Sequence, residues 1–355
     1  MRLIRNTILI IALTGIIWYI IDSINQDIWW GNDIDFDKWN GYGTLIGGVF
    51  SFLSILLIYL TLRHQTLSHE NSAFENRFFQ LIDYHKNNVA EFEYKNPASD
   101  KGEIINGQKV FINIHREILK AIKFLKKDLS INSLDLILNN TEILKIKKNS
   151  NIIERKIDVL QLEIVNIAYL IVFFGLSAEG RPVLERILTQ RCESDKIATI
   201  LNKFEEKQAK WDRLSNIGLN NQRLQLNAHN KYYGGHQHRL GHYFRHLFQT
   251  INYVDNFKPY KGNFEKKYSY LKNYRAQFST YEQAIFAYNS ISILGRVWEL
   301  EKIKENDKLI TKYNLIKNIP AEFITEFNIE IYYPNVDFEG KENTTTKKEL
   351  IKDYK

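Results

Sequence analysis

The 355-residue sequence contains a single cysteine, Cys192, so no disulfide and no cluster of thiolate metal ligands can form within the chain. Cysteine usage of this kind fits a reducing cytoplasm. Only five prolines interrupt it, and with its many Ile, Leu, Lys and Glu residues the composition points to helices. It has no Gly-x4-Gly-Lys-Ser/Thr loop, no Gly-x-Gly-x-x-Gly, no Gly-x-Ser-x-Gly and no His-Glu-x-x-His. Nucleotide hydrolysis and ordinary serine hydrolase chemistry therefore find no support in motifs. There is also no internal repeat and no long low-complexity tract.

What is present divides into a greasy start and a polar, helical remainder. Leu3 to Ile21 is 19 residues long and carries one charge, Arg5. At about 1.5 Å per residue, this nearly crosses a hydrocarbon layer roughly 30 Å thick. A cleaved signal peptide is the competing explanation, but Trp18, Tyr19 and Asp22 stand where small residues should flank a cleavage site. Thr44 to Leu62 is a second 19-residue apolar run, closed by Arg63 and His64. Between them, residues 22–43 are acidic and aromatic, with Asp22, Asp27, Asp33, Asp35 and Asp37 against Lys38 alone. Arg2, Arg5 and Arg63 flank the pair and no arginine lies in the loop, so the positive-inside rule sets both chain ends in the cytoplasm and the loop outside.

The expectation is an all-α protein with a transmembrane hairpin over residues 1–64 (spans 3–21 and 44–62), a cytoplasmic helical domain over 65–335 and a polar tail over 336–355. Ala12 and Gly15 in the first span, and Gly47, Ser51 and Ser54 in the second, provide small side chains for close helix approach. That approach serves either the hairpin itself or another copy of the chain. The net charge of +7 also favours anionic partners, either a membrane surface or nucleic acid.

In the soluble part, periodicity predicts helices over 65–94, 109–127, 133–148, 152–174 and 194–220, and a lysine-rich one over 297–312. Loops are expected over 95–107 and 221–235. Residues 164–176 are apolar enough to raise the question of a third span, but 13 residues interrupted by Asn166 fit a buried core helix better. Asn328 to Tyr332 alternates like a strand.

The richest stretch runs from His236 to Asn289. Leu240, Tyr243, Phe244, Leu247, Ile251 and Val254 recur every three or four residues, which places them on one side of a helix. His238, Arg239, His242, Arg245, His246 and Gln249 fall on the other side. A second helix is expected from about Lys266, with Tyr270, Tyr274, Phe278, Tyr281, Ile285 and Tyr288 as its stripe and Arg275, Glu282 and Asn289 at seven-residue steps along the edge. The two helices are expected to pack with Arg275 and Glu282 facing the histidine strip.

Gly241-His242-Tyr243-Phe244-Arg245-His246-Leu247 and Arg275-Ala276-Gln277-Phe278-Ser279-Thr280-Tyr281-Glu282 resemble the signature of the phage abortive infection protein family, the lactococcal abortive-infection C-like group. Phe78-Phe79-Gln80-Leu81, Gly107-Gln108-Lys109-Val110-Phe111 and Ile167-Ala168-Tyr169-Leu170 fit with less specificity. The chain departs from the family at Phe278-Ser279-Thr280, where Leu-Ser-Asn is usual, and at Gly107-Gln108, where Gly-Arg is favoured. The resemblance implies bacterial antiviral defence at the inner membrane, triggered by a phage or host cue, and leaves the reaction open.

Three chemistries compete for these residues. His238, His242 and His246 are spaced by four, so neighbouring pairs can share a metal ion. The outer two lie roughly 12 Å apart along a helix, though, and no nearby Asp or Cys completes a site, so no metal or other cofactor is assigned. Arg239 and His246 resemble the Arg-x(4–6)-His pattern of small helical HEPN-type ribonucleases, with the histidine as acid or base and the arginine stabilising the phosphorane. The third reading is structural: His242, Arg245, Arg275, Gln277 and Glu282 form a buried network that pins the two helices together.

Overall fold

The computed structural model describes residues 14–15, 17–18, 21–22, 36–95, 104–216, 234–320 and 322–340. Most of the expected first span and of the loop after it, and the tail beyond 340, lie outside the described residues. The chain divides into two compact units, residues 1–74 and 75–355.

In the first unit the dominant element is α1, a single helix Phe36–Ala90 of 55 residues whose portion from Glu75 onward belongs to the second unit. Its segment from Gly43 onward is the one helix among the described residues that is long and apolar enough to cross a membrane. Phe50, Phe52, Ile55, Leu57 and Ile58 are 57–67% exposed, so this surface finds no cover among the described residues. Exposed apolar area on this scale marks an interaction or membrane surface.

In the second unit, α1 contributes Phe78, Leu81, Ile82, His85 and Val89 to the core and ends at Ala90. Residues 93–95 are therefore not helical as expected. They form β1 (Glu93–Lys95), which pairs antiparallel with β2 (Ile104–Asn106), Tyr94 opposite Ile105.

Next comes α2 (Lys109–Lys123), which continues as a π-helical turn to Asp128. The expected helix over 133–148 is shorter, α3 (Asn140–Lys147), because Asn139 accepts a hydrogen bond from the Glu142 amide and caps it there. The expected helix over 152–174 is split into α4 (Ser150–Glu154) and α5 (Val159–Phe174). Asp158 accepts from the Leu160 and Gln161 amides as the new N-cap, after Lys156 turns left-handed at φ 52°.

Every residue of α5 from Leu162 to Phe174 is buried, which confirms residues 164–174 as a core helix. Then follow α6 (Gly180–Thr189) and α7 (Ser194–Asn216). The core forms where α2, α5 and α10 (Thr280–Ile291) meet, with α6 also packed on α5.

Two polar side chains, one of them charged, lie inside α5's apolar surround and both are satisfied. Glu163 accepts from Arg191 through both oxygens and from Arg296 at 2.7 Å, while Asn166 donates to Glu163 and accepts the Ile293 amide. The two guanidinium groups outweigh the burial penalty and hold the Glu163 carboxyl down at about 2. The lone Cys192 is packed beside Ile137, and burial pushes its thiol up to about 12, so it is unreactive.

The expected single helix from Lys266 to Asn289 is two helices, α9 (Phe264–Arg275) and α10. Ser279 accepts from the Glu282 amide and Glu282 accepts from the Ser279 amide, a complete capping box. The expected helix over 297–312 is likewise absent: two 3₁₀ turns, Arg296–Trp298 and Glu305–Asp307, lead to the short α11 (Leu309–Tyr313). Residues 328–332 are helical rather than extended, since Asn328 caps α12 (Ile329–Tyr332).

Candidate functional site

The site is built on α8 (Gln237–Asp255), which packs on α9 and α5. Leu240, Tyr243, Phe244, Leu247, Ile251 and Val254 are all buried, as their spacing predicts. At about 100° per residue the polar residues fall into two groups rather than one strip. His238, His242, Arg245 and Gln249 lie within about 60° of one another, opposite the buried stripe, while Arg239 and His246 sit together on its flank.

The first group lines a cavity of about 770 Å³. The end of α5 and the loop into α8 form one wall. Gly235 at φ +88° lets the chain pass so close to α5 that a Cβ there would stand 2.4 Å from the Phe174 carbonyl oxygen. Gly180 is held still tighter, its would-be Cβ 2.0 Å from the same oxygen. The His236 amide donates to the Phe173 carbonyl at 2.8 Å, which fixes where α8 begins. Gly241, inside α8, lines the cavity with nothing within 4 Å of where a Cβ would be. The far wall is apolar: Phe248 meets Trp298 edge to face at 4.9 Å, with Leu294 and Val297 beside them.

Arg245 donates to the Gly241 carbonyl through Nε at 3.1 Å and has no carboxylate partner among the described residues. Among the described residues the only acid in the lining is Glu179. Burial, then the nearby Arg239 and His236, draw the His238 pKa down to about 4, so this imidazole is neutral at physiological pH. Asn289 also lines the cavity and donates to the Tyr169 hydroxyl at 3.0 Å.

The flank group meets a different environment. Arg239 donates to the Glu93 carbonyl at 2.8 Å, and its Nη1 lies 3.3 Å from His236 Nδ1. His236 in turn contacts Glu117 at 2.8 Å, and the Tyr94 hydroxyl donates to the other Glu117 oxygen. Both ring nitrogens of His246 are shielded from solvent and lack a hydrogen-bond partner. Burial, then His85 and Arg77, lower its pKa to about 4. Arg239 and His246 share a helix face, but they face the β-hairpin and α1 rather than the cavity.

The expected five-residue network is divided. Arg275 is buried but turns away from the histidines, donating to the carbonyls of Tyr313 and Asn314 where the left-handed Asn314 ends α11. Glu282 does lie near a histidine, though it is His85 of α1, at 3.7 Å, and its main role is the cap of α10. His242 and Arg245 are exposed in the cavity, and the Gln277 side chain donates only to the Asn273 carbonyl while its own carbonyl accepts from Gln108. The reason is the break at Ser279, which rotates Glu282 away from the line that a continuous helix would give it.

Sequence periodicity found the histidines on α8 and missed their surroundings. His236 lies 119 positions from the Glu117 it contacts, beyond the reach of periodicity, whereas Ser279-x-x-Glu282 carries its signal locally. Among the described residues no three His, Cys, Asp or Glu side chains gather as metal ligands.

A mainly helical protein with one long exposed apolar helix and a basic, aromatic cavity is the class that these features define. Within it, residues 235–324 match the family model described as putative phage abortive infection protein. That segment begins at the glycine before His236 and contains α8 to α11, so it carries both stretches on which the resemblance was drawn, and in it the chain is similar to the abortive infection family. No curated protein and no solved structure matches the chain.

Proposed function

We propose that the chain is a membrane-anchored effector of abortive infection, held at the bacterial inner membrane with its helical unit in the cytoplasm. What carries this reading is that the family-matched segment belongs to the same chain as a helix whose apolar surface has no cover among the described residues. Side chains such as Phe50, Phe52 and Ile55 stand more than half exposed on α1, and water does not tolerate that surface whereas hydrocarbon does. Arg63 and His64 follow the apolar run at the cytoplasmic boundary. Infection triggers the cytoplasmic unit, and the embedded segment, by itself or by self-association through Gly47, Ser51 and Ser54, then disrupts the membrane and arrests the cell.

A tethered ribonuclease draws less support, because His246 is sequestered and Arg239 is engaged at the β-hairpin. A non-toxic adaptor would show neither growth arrest nor RNA loss.

The test compares the full chain with a version lacking residues 1–64, during infection, by membrane fractionation, plaque formation, membrane potential and RNA integrity. The full chain is expected in the membrane fraction, with potential lost before RNA. Protection that survives the deletion, with RNA cleaved in a manner abolished by His246→Ala, would overturn the proposal in favour of the ribonuclease.

A further inference from the structure

The cavity on α8 has two chemically different ends. Along about 16 Å of helix axis from His238 to Gln249 it passes from a polar end, at the start of α8, to the apolar end at Phe248 and Trp298. Three observations at the polar end favour an anion. The 19-residue helix α8 starts there without a side-chain cap and without an acidic residue in its first turn. His238, His242 and Arg245 project along that wall, and Arg245 keeps its two terminal guanidinium nitrogens free of any carboxylate among the described residues. Among the described residues a single acid, Glu179, lines the cavity, so the charge there is mainly positive.

At the other end, Phe248 and Trp298 with Leu294 form an aromatic and aliphatic wall suited to a flat ring. The volume, about 770 Å³, lies in the range of small-molecule sites. Gly241 leaves the middle of the cavity open where any other residue would extend into it.

We infer that this cavity binds a nucleoside phosphate, its phosphates at His242, Arg245 and the start of α8 and its base against Phe248 and Trp298. Glutamines 237 and 249, which also line it, supply amide donors and acceptors to base or ribose. The inference rests on the effector reading for its meaning, since a nucleotide whose level changes on infection is then the cue that the cytoplasmic unit senses.

The full chain, purified in detergent micelles, is titrated with ATP carrying a fluorescent N-methylanthraniloyl group, and the probe is then displaced by ATP, AMP, adenosine, pyrophosphate or a short oligoribonucleotide. Saturable binding is expected, displaced by ATP or AMP at least about tenfold better than by adenosine or by pyrophosphate, because each of those lacks one end of the ligand. Arg245→Ala is expected to weaken binding about tenfold or more, and Gly241→Leu to abolish it by filling the cavity, both with an unchanged melting temperature.

No saturable binding by the wild type, wild-type binding by both variants, or displacement by pyrophosphate as good as by ATP would overturn the inference. Displacement by the oligoribonucleotide far better than by ATP would overturn it in favour of nucleic acid. Membrane location and plaque formation are scored on the same proteins. Anchoring and protection without nucleotide binding would sink this inference alone, and nucleotide binding without anchoring would sink the effector reading alone.

Discussion

Glu163 and Arg245 belong to the same unit, yet the first is sealed between Arg191 and Arg296 while the second lines a cavity and pairs with no carboxylate among the described residues. In the α5 core every charge has a counter-charge, because an ion taken out of water without one is too costly to keep. On α8 the cavity wall gathers cationic and hydrogen-bonding groups that pair with no counter-charge among the described residues. Groups that do nothing for the fold are free to serve a ligand, whereas those around Glu163 are committed to it.

This contrast can be broken most forcefully at Glu163. Glu163→Gln leaves the buried Arg296 without its counter-charge and Arg191 with Glu142 alone, and a loss of about 3–5 kcal/mol is expected in urea denaturation of the purified chain. A loss under about 1 kcal/mol would show that the core charges are not committed to the fold as described. Arg275→Ala is expected to lower stability by about 2–3 kcal/mol, since it strips the donors from the buried Tyr313 and Asn314 carbonyls. The matching readout is reduced abundance of folded protein in cells.

His115 provides a pH test of the same commitment. It is buried in a stack with Phe323 at 5.0 Å, and burial, then Arg116, lower its pKa from 6.5 to about 4. The unfolded chain therefore binds more protons between pH 6.5 and about 4, so stability falls as pH drops through that window. The contribution is on the order of 2 kcal/mol, and His115→Leu should flatten that part of the stability profile measured by thermal melts at pH 7 and pH 5.

On the cavity side the effects on folding should be small. Gly241→Ala should raise stability by about 0.5–1 kcal/mol, because it removes a helix-interior glycine where the added methyl meets nothing. Arg245→Ala should change stability by less than about 0.5 kcal/mol in the same melts. A large loss there would mean that Arg245 serves the fold after all, and the contrast with Glu163 would fail.

How much of this was legible in the residues depended on the distance over which each feature is decided. The all-helical character, the apolar stripe of α8 and the burial of α5 follow from composition and from three- and four-residue spacing, and all were readable. Helix ends were read less well. Asn139, Asp158 and Ser279 each start a helix by catching a backbone amide two or three residues on, and a periodic stripe passes straight through such a cap. The error at Ser279 mattered most, since it placed Glu282 and Arg275 on one face when the structure sends them to His85 and to the end of α11.

Local order alone settled the amphipathic faces, the apolar run that ends at Leu62 and the signature that ties residues 235–324 to the abortive infection family, because adjacent side chains and backbone spacing determine all three. Which polar groups are spent and which are left over was decided only by tertiary structure. His242 and His246 are one turn apart on the same helix, and nothing in their immediate neighbours tells them apart. Distant residues do: His85, arriving from α1, helps enclose one ring, and the close passage of Gly235 by α5 leaves open water in front of the other.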